Sequence, residues 1–129
     1  MLEKVVLAVS ALVFVSYGIA CLVNPGLPVG YAGLTIVTGD GYAEIGAMYG
    51  GLQTALGLVC LLAYLRPAYG KQTLALLLLT IGSLALARLY SILSTDLSVT
   101  AYSWGAFAYE ALTATLAGIA LQQSGRTRA

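Results

Sequence analysis

The sequence predicts an all-α integral membrane protein folded as an up-down four-helix bundle. Three observations lead there. The 129 residues are 60% hydrophobic and only 9% charged, whereas a soluble domain carries about 25% charged residues. The apolar residues gather into four segments, each near the roughly 20 residues that cross a bilayer. The charges also divide by side. With four alternating helices, Lys4, Arg66, Lys71, Arg126 and Arg128 fall on one face, and Asp40 and Asp96 on the other. Basic residues favour the cytoplasmic side of a membrane, so both termini are expected there. Glu3 is the one acid on the basic side, and acids weigh little in that bias.

The first helix is expected at about Val5–Val23. Ser10, Phe14, Tyr17 and Cys21 share one stripe at spacings of three and four. The segment Gly18-Ile19-Ala20-Cys21 has the look of a lipoprotein processing box. Glycine stands where leucine is usual, so the segment is read as a true helix rather than a signal peptide. Asn24-Pro25-Gly26 stops it, because proline cannot continue the hydrogen-bond ladder. The connection 24–42 is rich in glycine yet carries Leu27, Val29, Tyr31, Leu34, Ile36 and Val37. A re-entrant or surface-lying lid on the outer face is expected, since non-helical backbone at membrane depth must be covered.

The second helix is expected at about Ala43–Leu65. Gly46, Gly50, Gln53 and Gly57 share one face, and small residues let helix backbones approach closely. That face is read as internal packing, with a dimer seam as the alternative. Glu44 falls on a different stripe with Ala47, Gly51 and Ala55. The third helix, about Gln72–Leu93, is leucine-rich until Arg88, whose face also holds Ile81, Ala85, Ser91 and Thr95. The fourth, about Ala101–Leu121, sets Glu110 among Ser103, Ala106, Thr113, Ala114 and Ala117. A stripe of small residues around a charge points into a bundle. Trp104, Tyr102, and Tyr31 or Tyr42 fit an outer aromatic belt. The four helices account for nearly the whole chain, so one domain is expected and no soluble module.

The functional signal lies in three ionisable residues within these apolar stretches: Glu44, Arg88 and Glu110. A charge in a bilayer costs several kcal/mol unless paired or hydrated. Alternation places all three in the outer half. Arg88 lies roughly 8 Å and Glu110 roughly 12 Å below Glu44, at about 1.5 Å per residue. A guanidinium grips a carboxylate with two hydrogen bonds, and Arg88 with Glu110 is the expected pair. Glu44 then caps the pair from above or competes for Arg88. Two acids and one base leave one carboxylate to be compensated by a proton, a cation or water. Tyr17 and Tyr49 lie at similar depth and, with Ser91 and Thr113, complete the candidate polar cluster. Tyr90 and Tyr109 lie at that depth too, but each is adjacent in sequence to a charged residue and need not share its face.

Other chemistries have little support. A net charge of +1 offers nothing to nucleic acid. The sequence has no histidine, and its two cysteines do not make a zinc site. Cys21 and Cys60 are expected to differ in depth by roughly 20 Å, against a Cα separation of about 7 Å for a disulfide. No metal and no cofactor is expected.

Asn24-Pro25-Gly26, then Glu44-Ile45-Gly46-Ala47-Met48-Tyr49-Gly50-Gly51 with Gly57, then Arg88 and Glu110, resemble the small bacterial membrane proteins grouped as domain of unknown function 4345. The resemblance covers essentially the whole chain and is most specific over Glu44–Gly51. It implies four transmembrane helices and a bacterial cytoplasmic membrane, supports grouping Glu44, Arg88 and Glu110, and supplies no activity. Arginine is frequent in that family where this chain has Gly46.

Four readings of the cluster follow. It locks helix register, or it forms an outer polar pocket for a small amphipathic ligand. It moves protons or ions, or it performs proton transfer on a lipid-soluble substrate. A non-enzymatic ligand-binding or accessory bundle is the leading expectation, with lipid, a second copy or a larger membrane complex as its partners. A proton-coupled transporter subunit for a small cation or amphipathic molecule is the alternative, and an enzyme the last.

Overall fold

The computed structural model describes residues 1–126, with side chains as far as Ser124. The Arg126 side chain and Arg128 lie outside the described residues. All regular structure among the described residues is helical. Four stretches are long and apolar enough to cross a membrane: Leu2–Val23, Gly39–Leu65, Pro67–Ser94 and Ala101–Ser124.

Helix α1 (Leu2–Val23) starts about one turn before its expected apolar run. At its end the Asn24 amide donates to the Ala20 carbonyl at 2.9 Å. The Asn24 carboxamide oxygen then accepts from the Gly26 amide at 3.0 Å. This side-chain turn, followed by Pro25, takes the chain out of the helix.

The segment 24–42, expected as an irregular lid, is partly helical. It holds a single-turn helix α2 (Val29–Ala32) and the start of α3 (Gly39–Ile45). Gly33 ends α2 in the left-handed region at φ 67°, where a side chain would be strained. Thr38 caps α3, its hydroxyl accepting from the Gly41 amide at 3.2 Å, and Asp40 sits in the first turn, where the helix dipole favours an acid.

The second long helix therefore begins at Gly39 rather than Ala43. It is also not continuous: a π-helical turn, Gly46–Gly51, separates α3 from α4 (Leu52–Leu65). A π turn accommodates an extra residue, and one residue rotates everything beyond it by about 100° at 3.6 residues per turn. A short 3-10 turn, Pro67–Tyr69, leads into α5 (Gly70–Ser94). Helix α6 (Ala101–Arg126) continues past Leu121, and its Ser124 hydroxyl donates to a Glu3 carboxylate oxygen at 2.8 Å.

Packing is uneven. Helix α1 lies broadly against α4 and the π turn, and α5 against α6; α1 also meets α6, while α4 and α5 hardly touch. The expected glycine face packs on α1. A Cβ on Gly57 would come within 2.6 Å of the Val15 amide nitrogen, and one on Gly50 within 2.7 Å of Leu22 Cγ. A Cβ on Gly46 would lie 3.5 Å from Pro25 Cγ. From α1, Gly18 returns the contact: a Cβ there would meet the Gly50 carbonyl at 2.9 Å. Later residues of α1 thus meet earlier residues of the second segment. Between α5 and α6, Gly82 meets Ala114 while Leu78 meets Gly118.

The main hydrophobic core gathers toward the end of the molecule that holds the N-terminus of α1. It contains Val6, Leu7 and Phe14 from α1, Cys60 from α4, Leu74, Leu77 and Ile81 from α5, and Ala117 and Ala120 from α6. Cys21 and Cys60 are buried free thiols. Outward-facing positions keep large aliphatics, with Leu12, Leu79, Leu86 and Leu112 between 58% and 72% exposed.

Candidate functional site

The core does not fill the molecule, and beyond Phe14 and Ile81 it gives way to open space. Because α4 and α5 diverge, a cleft of about 870 Å³ opens between them. Met48, Leu52, Ala55, Leu56 and Val59 form one wall, Leu76, Thr80, Ile81 and Leu84 the other. Val13, Phe14 and Tyr17 of α1, with Ala106 and Tyr109 of α6, form its floor. Polar groups gather at one end: Tyr17, Tyr31, Tyr49, Tyr102, Arg88 and Glu110, with Gln53 further in.

Arg88 and Glu110 form the ion pair expected of them. Arg88 Nε donates to Glu110 Oε2 at 2.8 Å, and Nη2 to Oε1 at 2.7 Å. The parallel, two-pronged geometry is the strong form of this interaction. Glu110 is 7% exposed at its side chain and Arg88 26%. The pair ties α5 to α6, and both residues line the cleft. Arginine has five N–H donors, so two bonds to Glu110 leave three.

Tyr31 reaches over from α2. Its hydroxyl donates to the Tyr17 hydroxyl at 3.0 Å, and its ring lies 4.9 Å from that of Tyr102, centroid to centroid. Tyr109 packs edge-on against Phe14 with centroids 6.3 Å apart. The Tyr109 hydroxyl is buried without a well-formed hydrogen bond, although Thr113 lies close on the next turn.

Of the residues singled out in the sequence, Tyr17, Tyr49, Gln53, Arg88 and Glu110 line this cleft. Ser91 lines a second cavity that also reaches Arg88. Thr113 is buried in α6 below Glu110. Glu44 stands apart: it is exposed on α3, lines neither cavity and forms no ion pair among the described residues. Glu44 shares a helical stripe with Ala55, which lines the cleft, but it lies one turn before Met48, where the cleft lining of this segment begins, at the exposed start of the helix.

Tyr102 and Tyr109 join the cleft beyond the expected cluster, and spacing carries a signal for both: Tyr102, Ala106 and Glu110 follow one another at spacings of four, and Ala106, Tyr109 and Thr113 at spacings of three and four. Tyr31 had no such signal, because its position depends on how α2 folds back. Tyr90, 73% exposed, points away. Among the described residues no three His, Cys, Asp or Glu side chains come together as a metal-ligand set.

Fold and site together define a protein whose described residues form only helical regular structure, with four helices of membrane-crossing length and an ion pair at the polar end of a largely apolar cleft. The chain belongs to the family described as Domain of unknown function (DUF4345), whose model matches residues 2–121. No curated protein and no solved structure matches it. The family description carries no activity.

Proposed function

We propose that this protein is a multi-pass protein of the bacterial cytoplasmic membrane, an up-down four-helix bundle. It binds a lipid-soluble amphipathic molecule in the cleft between α4 and α5, without chemical turnover. One observation carries the reading: a cleft of about 870 Å³ whose walls are aliphatic and whose one polar end holds the Arg88–Glu110 pair. Binding sites for small ligands are mostly apolar cavities of about 300–1,000 Å³ with a few convergent polar groups. Exposed Leu12, Leu79, Leu86 and Leu112 favour lipid as the surrounding solvent, because soluble proteins rarely expose broad apolar surface. The reversed order of contacts between α1 and α4, and between α5 and α6, supports alternating helices. Lys4, Arg66 and Lys71 then lie on the cytoplasmic face and Asp40 and Asp96 outside.

A proton-coupled transport reading would need Glu110 available to exchange protons, and Arg88 engages both of its oxygens. The binding reading uses the pair as it stands.

Two measurements test the proposal. Single cysteines at Asp96 and Arg66, introduced into a cell-borne protein, should react with a membrane-impermeant maleimide from outside at position 96 only. The native thiols, both fully buried, should give little background. Reaction at 66 and not 96 would reverse the topology. The protein should then be extracted with its surrounding membrane in polymer-bounded discs and its lipids identified by mass spectrometry. One amphiphile should be enriched over the bulk membrane in wild type and lost in Ala106→Trp, which fills the cleft. Identical lipid compositions in both would refute ligand binding.

A further inference from the structure

A second cavity, about 660 Å³, lies on the other side of Arg88. It is framed by Gly30–Gly33, the last turns of α5, the α5–α6 connection and the start of α6. Its character differs from that of the cleft. Ser91, Thr95, Ser98, Thr100 and Ser103 line it, and Arg88 is the one charged residue among the described residues that do. Among the described residues, Tyr31, Leu84 and Arg88 alone line both cavities.

We infer that the two cavities form one elongated site for an uncharged lipid with a polyhydroxyl head. Its chain lies between α4 and α5, and its head lies in the hydroxyl-lined cavity beyond Arg88. This rests on the ligand-binding reading above and names the class of ligand.

The charge balance selects the head. Glu110 already compensates the Arg88 guanidinium in a two-bond pair. An anionic head would therefore find no uncommitted cation at the site, and a cationic head would meet Arg88. An uncharged head can use the three remaining Arg88 donors without disturbing the pair.

The hydroxyls select the same kind of group. Each serine or threonine hydroxyl both donates and accepts, as the hydroxyls of a glycerol or sugar do. Thr95 Oγ1 accepts from the Leu97 amide at 3.1 Å and keeps its own proton to donate. The chain region fits as well: from Leu76 to Arg88 the α5 wall runs twelve residues, roughly 18 Å at 1.5 Å per residue. That is an elongated shape suited to an extended hydrocarbon.

The test uses the full chain in phosphatidylcholine nanodiscs. Three probes carry the same diazirine-bearing acyl chain on a glycerol, a phosphocholine or a free carboxylate head. After irradiation, labelled positions are mapped by peptide mass spectrometry. The monoacylglycerol probe should label the cleft residues between Leu52 and Val59 and between Leu76 and Leu84 about tenfold more than either charged probe at equal mole fraction, a difference of about 1.4 kcal/mol. Ser103→Phe, which fills the second cavity, should reduce that labelling to the level of the other two. The milder Thr100→Ala/Ser103→Ala pair should lower it several-fold. Equal cleft labelling by all three heads, or a preference for the carboxylate, would overturn the head-group inference and leave the ligand-binding cleft standing. Labelling confined to outward-facing Leu79, Leu86 and Leu112 for every probe would overturn both.

Discussion

Removing Arg88 should harm the fold more than removing the charge of Glu110, and removing both should harm it least. The asymmetry follows from burial. Arg88→Met leaves the Glu110 carboxylate, 7% exposed, without its partner, and an uncompensated buried charge costs about 3–5 kcal/mol. Glu110→Gln keeps an acceptor oxygen near Arg88. The guanidinium, 26% exposed, retains access to a polar cavity, so a cost of roughly 1–3 kcal/mol is expected. In Arg88→Met/Glu110→Gln neither charge remains, and stability should return to within about 1 kcal/mol of wild type, because buried pairs give little net stabilisation over neutral replacements. Equilibrium unfolding of the four proteins in matched mixed micelles, followed by circular dichroism, reads the cycle. Single-variant costs that simply add in the double variant, within about 0.5 kcal/mol, would refute the direct coupling. The double variant also separates a lock from a site. It should fold and yet lose the copurifying amphiphile; a double variant that folds and keeps the amphiphile would reduce the pair to a structural role.

The close approach of α1 to the second helix should make Gly57→Ala destabilising by roughly 1–3 kcal/mol, since its Cβ would press on the Val15 amide nitrogen 2.6 Å away. Gly51→Ala, with open space around the new methyl, serves as the control, and equal unfolding midpoints for the two variants would contradict this packing. Gly33→Ala should cost about 1–2 kcal/mol, because the left-handed backbone at φ 67° is strained for any residue with a side chain; an unchanged midpoint would mean that α2 ends differently. Glu3→Ala should lose about 1 kcal/mol. Its carboxylate accepts from Ser124 and rests against Gly70 at the N-terminus of α5, where a negative charge is favourable. In a Ser124→Ala background the loss should shrink, and an undiminished loss would place the effect elsewhere.

Composition and periodicity make the helices legible, because every backbone polar group in an apolar medium must be satisfied within its own segment and helix is the local way to do so. The inward stripes were legible for the same reason. Ser10, Phe14 and Cys21 on α1, and Ile81 and Ala85 on α5, are buried as their spacing implies. The Arg88–Glu110 pair follows from helix order and the reach of arginine. What the sequence concealed depends on where the helices begin and how they are joined. Glu44 shares a stripe with cleft-lining Ala55, yet it lies exposed on α3 and lines neither cavity, because the second helix extends beyond the cleft as far as Gly39. Tyr31 is positioned by a turn that begins with the Asn24 side chain and ends at a left-handed glycine, and no periodicity reports that. The cleft is harder still, since it arises from sparse contact between α4 and α5, two chain neighbours that a simple bundle would pack together. Their facing residues, Leu52, Leu56 and Val59 against Leu76 and Leu84, look in sequence like ordinary core. They line a cleft because the glycines of the second helix are spent on α1. Gly50 and Gly57 draw the second helix onto α1, while Arg88 ties α5 to α6, so the two helices bounding the cleft are each held by a different partner. The glycine stripe and the ion pair thereby act together: one fixes each wall, and the space between them is the cleft proposed above to hold a ligand.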